Sequence, residues 1–290
     1  MTIKYNNVFI EDAYTICGNY ENDGPLSKYF DKKYEKDLYF GEKSWEQAEV
    51  HLLKEANTNI LKKNKLKEED IDLLISGDLQ NQIAASNYMA REFNIPFLGI
   101  FEACSTSGEG LAIGSTYIEG GFAQRILVST SSHNMAAEKQ FRNPTEYGTP
   151  KPKTATFTST GGVSILLSNK KSKVKVESAT IGKVVDMGTT DVNHMGAVMA
   201  PAAGDVIYNH LKDTKRDTSY YDLILTGDLG IYGKNILKDY MITRVRDLVI
   251  QDPGSDTYYQ TMKSISAISS GQLKGKGLYQ GTLNQLSYLP

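Results

Sequence analysis

IDLLISGDL, residues 71–79, and YDLILTGDL, residues 221–229, are two versions of one phrase. Each runs an apolar stretch into Gly-Asp-Leu, and each carries Asp-Leu near its start. Apolar strands resemble one another by composition alone, but this shared polar frame goes further. Both copies also follow a helical pattern with a polar end. The repeat, shifted from 71 to 221, predicts an internal duplication of the 290-residue chain. The halves are an N-terminal one, 1–170, and a C-terminal one, 171–290. The charged turn Lys170-Lys-Ser-Lys173 joins them, and Val174 to Gly182 opens the second.

Around the first copy, strands and helices alternate. Trp45, Ala48, Leu52, Ala56 and Ile60 recur at helical spacing to about Lys63, with Ser44 as the N-cap. His51 on this helix reads as a surface residue. Ile71 to Gly77 reads as a buried strand, Ala84 to Phe93 as a helix, Pro96 to Phe101 as a strand. Ser105 to Ile118 is a helix of small residues, and Arg125 to Ser131 another strand. Thr154 to Ser168 reads as two short strands around Gly161-Gly162. Such alternation is the signature of an α/β protein built in layers.

The bulk numbers bound the function. Apolar residues are 40% and charged residues 23%, which suffices for a real core. A net charge of −2 argues against a nucleic-acid binder. The 2 cysteines, Cys17 and Cys104, cannot form a disulfide framework and suit a reducing compartment. The N-terminus lacks the layout of a signal peptide, and no window approaches the ~18 continuous apolar residues of a membrane span.

Within GIFEACSTSGEGLAIGS, residues 99–115, Cys104 ends a strand and opens a helix. A helix N-terminus favours a thiolate. Acyl transfer also needs a base and an oxyanion hole. The second-copy strand ends in Thr226-Gly-Asp228, where no histidine stands, and His194 and His210 lie elsewhere. The glycines 108, 110 and 114 form GxGxxxG rather than the dinucleotide GxGxxG, and fall inside the helix. Close helix packing is their simpler reading.

A duplicated α/β chain with a cysteine opening a small-residue helix resembles the thiolase and ketoacyl-synthase superfamily. A closer resemblance is carried by GPLSKYFD (24–31), GEKSWEQAE (41–49), GDLQNQ (77–82), PFLGIFEACSTS (96–107) and TSSHNMAAEKQFRNPTEYG (130–148). GKVVDMG (182–188), MAPAAGD (199–205) and TGDLG (226–230) continue it. These segments resemble the stage V sporulation protein AD (SpoVAD) family. The resemblance implies a thiolase-like duplicated αβαβα fold without thiolase chemistry. It implies binding of dipicolinic acid, pyridine-2,6-dicarboxylate, free or as its calcium chelate, with no cofactor. It implies partnership with the other SpoVA channel proteins, at the cytoplasmic side of the forespore or spore inner membrane. A homodimer is compatible with it. After about Met241 the match fades to QDPGSD (251–256), and the tail to Pro290 holds no cysteine, so the second half reads as truncated or diverged.

A dicarboxylate wants fixed donors: helix N–H groups, hydroxyls and a guanidinium. Cys104 and Ser105 supply a helix start. Ser131, Ser132 and His133 follow a strand that can end at the same sheet edge. Phe141 offers an aromatic face and Arg142 a carboxylate clamp. His133 is alternatively a capping residue holding a loop. Asp78 could meet the ring nitrogen, meet calcium, or cap the helix near Asn81. Two other functions compete: an acyl-transfer enzyme using Cys104, and a purely structural partner.

Overall fold

The computed structural model describes residues 1–141, 152–191 and 193–250. They fall into two compact units. Of these described residues, the sheet unit holds 4–141 and 157–179, and the helical unit 1–3, 152–156, 180–191 and 193–250.

The sheet unit is built on β1 (Phe9–Cys17), β2 (Lys32–Lys33), β3 (Leu73–Gly77), β4 (Phe97–Gly99), β5 (Arg125–Ser132), β6 (Gly161–Ser168) and β7 (Val174–Lys175). The order is β2-β1-β6-β5-β3-β4, with β7 also paired to β1. β3 lies parallel to both β4 and β5, whereas β6 runs antiparallel to β5 and β1. The parallel neighbours need helical crossovers, supplied by α2 (Ala84–Ala90) and α3 (Thr106–Glu119). Val174–Lys175, expected to open the second half, pair with Phe9 and Ile10 of β1.

α1 (Trp45–Asn64) starts where the sequence says it should: Ser44 accepts the Gln47 N–H at 3.2 Å. Its inner stripe of Leu53 and Ile60 packs with Leu74, Met89, Leu127 and Leu166, all fully buried. α3 approaches the other face of the sheet closely. A Cβ on Gly110 would stand 2.6 Å from Val128, and one on Gly114 2.9 Å from Leu167. The small residues therefore serve packing, as read above. Only one strand forms in the region read as two. Residues 154–160 precede β6 without strand structure, and Gly162 lies within β6, where a Cβ would stand 3.3 Å from the Leu52 backbone.

The helical unit repeats local structure of the sheet unit at the same shift. α1 has its counterpart in α5 (Met195–Thr214); each has 20 residues. Both end on a left-handed lysine, Lys65 at φ 56° and Lys215 at φ 57°. Lys65 donates to the carbonyls of Leu61 and Lys62, and Lys215 to those of Leu211 and Lys212. A 3-10 turn follows at Glu68–Asp70 and again at Thr218–Tyr220. Then come the two Gly-Asp-Leu copies. Equal caps and turns at equal spacing are more than two similar strands would produce, and duplication accounts for them.

The copies differ in one respect. Leu73–Gly77 is a strand held between β4 and β5. Residues 221–227 form no strand, so they do not repeat the sheet position of the first copy. Leu223 is 69% and Leu225 79% exposed. A strand needs hydrogen-bonding neighbours, and among the described residues none pairs with this segment. The chain continues into α6 (Gly230–Ile250), which packs on α5 through small residues. A Cβ on Gly196 would fall 2.2 Å from the Leu229 carbonyl. Tyr240 is buried against Gly204. No described helix is long and apolar enough to cross a membrane.

Candidate functional site

A strand turns successive side chains to opposite faces of its sheet. This alternation sorts the candidate residues. Thr130 and Ser132 of β5 share the α3 face, where Ser107 meets Thr130 at 3.3 Å. Ser129 and Ser131 share the opposite face, under α1. There Asn57 of α1 donates to Ser129 at 3.3 Å, and Ser131 donates to Glu49 of α1 at 2.9 Å. Cys104 and Ser131, expected in one mouth, therefore belong to opposite faces.

On the α3 face, Cys104 is exposed within the 3-10 turn Ala103–Ser105. Ala103 has φ +47°, a strained conformation for a residue with a Cβ. Ser105 is exposed and donates to the Glu102 carbonyl at 2.9 Å. Thr106 ties the turn by donating to the Ala103 carbonyl at 2.8 Å. Ser132 donates to the Ser159 carbonyl at 2.7 Å, so its hydrogen is already used. Burial, with the Glu102 charge adding to it, pushes the Glu109 carboxyl upward.

The α1 face carries a buried polar cluster. Glu49 is fully buried and accepts from Gln80 at 2.8 Å, from Ser131, and from the His133 N–H. Burial pushes its carboxyl up to about 7, and the Asp78 charge adds to the rise. Sequence reading missed Glu49. The available signal was an acid beside Ala48 on the apolar stripe of α1.

Asp78 is 2% exposed and accepts the N–H groups of Gln80 at 2.8 Å and Ser86 at 2.7 Å. This is the capping role among the three considered. Burial raises its carboxyl as well. Its duplicate Asp228 accepts the Gly230 N–H at 2.9 Å but is exposed. The same bond in two solvents gives a prediction. Asp78→Ala strands two buried donors and should cost about 2 kcal/mol, against under about 0.5 kcal/mol for Asp228→Ala. Urea midpoints of the two variants check this.

His133 also takes the capping alternative. It is fully buried, its Nε2 donates to the Leu38 carbonyl at 2.8 Å, and its Nδ1 faces the Ala136 N–H at 3.5 Å. Burial holds its ring below the ordinary histidine range, hence neutral. It opens α4 (Asn134–Phe141) and presents no free nitrogen. Phe141 closes that helix, its side chain outside the described structure; Arg142 lies outside the described residues altogether.

The chain has 4 histidines. His51 bonds Tyr34 and Glu42, and His210 bonds Thr180 and Tyr221. His194 caps α5 through Nδ1 at 3.1 Å from the Ala197 nitrogen. Together with His133, three of the rings have both nitrogens engaged. Among the described residues no cluster suited to a metal ion is formed.

Three comparisons with known proteins bear on this geometry. A family model described as "Stage V sporulation protein AD (SpoVAD)" matches residues 1–284. Stage V sporulation protein AD of Bacillus subtilis (strain 168) is 50% identical over 234 residues, which cover 81% of this chain and 69% of that protein. Among solved structures, an OleA variant of Xanthomonas campestris superposes with a TM-score of 0.56 at 11% identity, over 82% of this chain and 81% of its own. A 3-oxoacyl-(acyl carrier protein) synthase III, FabH, of Xanthomonas oryzae pv. oryzae gives 0.56 at 12% identity, over 81% of each chain. At such identities the structures show the fold alone, and that fold is the thiolase-like one.

Proposed function

The chain belongs to the stage V sporulation protein AD family, and from that premise we propose that it binds pyridine-2,6-dicarboxylate without transforming it. In this reading it serves the spore channel machinery, in uptake of the dianion during sporulation and its release in germination. It would work at the inner membrane through partner proteins of that channel.

One observation carries the non-enzymatic half. Cys104 is exposed at the start of α3, while the nearest histidine in sequence, His133, is buried with both ring nitrogens engaged elsewhere. Among the described residues no histidine is hydrogen-bonded to this thiol, the pairing on which nucleophilic catalysis commonly relies. The binding half rests on the family. The Cys104 turn, Thr130 and Ser132 share one face and would line the mouth, and Arg142 is the cation proposed for one carboxylate. Ser131, His133 and Asp78 would support that mouth from the far face rather than touch ligand.

The acyl-transfer reading retains a specific observation. The fold is that of the synthases, and the strained Ala103 stands immediately before Cys104. Two measurements separate the readings. Calorimetric titration with dipicolinate should show saturable binding, largely retained in Cys104→Ala, since only shape and a weak donor are lost. Intact mass after incubation with acyl-CoA should show Cys104 unmodified. A turnover-competent acyl adduct would reverse the assignment.

A further inference from the structure

Away from the Cys104 face, five ionisable groups converge between β2 and α1. His51 was read as a surface residue, yet its ring is only 32% exposed and both its nitrogens are engaged. Nδ1 stands 3.0 Å from Glu42 and Nε2 3.0 Å from the Tyr34 hydroxyl. That hydroxyl donates to Glu55 at 2.8 Å and accepts from Lys32 at 3.2 Å. Lys32 also pairs with Glu55. The groups facing His51 are thus Glu42 and Tyr34 from the segment after β2, Lys32 from β2, and Glu55 from its own helix.

Counting hydrogens decides the protonation state these contacts require. Lysine donates only, a carboxylate accepts only, and a phenol has one hydrogen. Tyr34 gives its hydrogen to Glu55, so the contact with His51 needs a hydrogen on Nε2. Glu42 offers no hydrogen, so that contact needs one on Nδ1. All five contacts are satisfied together only when His51 is an imidazolium. A neutral ring with its hydrogen toward Glu42 must take the Tyr34 hydrogen, and Glu55 then loses a donor.

The segment so pinned lies over the junction described above. Phe40 is 5% exposed, sits at φ +52°, and packs against Tyr34 with the rings tilted and their centroids 4.4 Å apart. It meets the His133 ring edge-on at 5.8 Å, and the Leu38 carbonyl holds His133 Nε2. His133 and Ser131 in turn hold Glu49. Residues 34–42 thus close over the end of β5 and the start of α4.

We propose that residues 34–42 form a strap, held shut over the Ser131–Asn134 junction by a proton on His51. Loss of that proton costs one charge-assisted contact and loosens the strap, whatever the mouth on the other face binds. The device acts on the α1 side of the sheet, so it stands or falls independently of the dipicolinate reading.

Hydrogen exchange tests it on the full-length chain across a pH series from about pH 5 to about pH 8. Exchange of peptides covering 35–44, corrected for intrinsic rate, should rise about tenfold with pH, the scale of one charge-assisted bond. The rise should follow the His51 ring titration seen by proton NMR. In His51→Gln, which cannot be an imidazolium, exchange should be fast throughout with no step. Glu42→Gln, at an exposed position, gives the same test should the first variant fail to fold: its strap should exchange about tenfold faster at the acid end. A parent strap whose exchange ignores the His51 titration overturns the proposal, as does a step that persists in His51→Gln.

Discussion

Glu49→Ala is expected to destabilise the sheet unit by about 3 kcal/mol. It strands the donors of Gln80, Ser131 and His133 around a fully buried position. Glu49→Gln behaves differently. The amide keeps the shape and an acceptor oxygen, and Gln80 can turn its own amide to match. Its cost should be under about 1 kcal/mol in acid. The distinguishing feature is pH. The Glu49 carboxyl titrates near 7 in the fold against 4.5 as its ordinary value, so the folded chain holds a proton that the unfolded chain releases. The associated stability is full below about pH 4.5 and is lost as pH rises to about 7, beyond which it is flat. A shift of that size corresponds to at most about 3 kcal/mol. Glu49→Gln should therefore lack this loss, gaining on the parent between about pH 5 and about pH 8. Urea unfolding at both values reads the difference. Parallel pH dependences for parent and Glu49→Gln would mean that Glu49 is not the buried acid described.

Gly77→Ala should be as damaging, for a steric reason. An ideal Cβ there lies 2.3 Å from the Ile100 carbonyl and 2.5 Å from the Thr106 methyl. Both neighbours frame the turn that presents Cys104, and a backbone carbonyl cannot step aside as a flexible side chain can. The cost should be about 3 kcal/mol. Gly108→Ala is the control, because a Cβ there meets nothing within 4 Å. It lies in α3 and should stabilise by about 0.5–1 kcal/mol. Urea midpoints in parallel decide the matter, and a Gly77→Ala chain as stable as the parent would contradict the described approach of β3 to the Cys104 turn.

Several features were legible because they are local. The Ser44 cap, the packing glycines of α3 and the strand-turn-helix at Cys104 each depend on a few adjacent residues. The Gly-Asp-Leu echo disclosed the duplication, and the matching left-handed lysines extended it. The site was less legible because it depends on faces. Ser131 and Ser132 are neighbours in sequence, but alternation along β5 sends one to Glu49 and the other to the Ser159 carbonyl. Glu49 itself looked like one acid in a polar helix, and only tertiary packing reveals that the turn of α1 bearing it faces the sheet. The second copy was legible as a strand by composition, since Leu223 and Leu225 are apolar. Whether such a segment pairs depends on neighbours far along the chain, which composition does not specify.

Calorimetric titration of the chain with pyridine-2,6-dicarboxylate should give saturable heat with one site per chain, and no chemical change in ligand or protein afterwards. Heats no larger than dilution up to about 1 mM ligand, the edge of a −4 kcal/mol interaction, from a chain shown to be folded, would contradict the proposed binding.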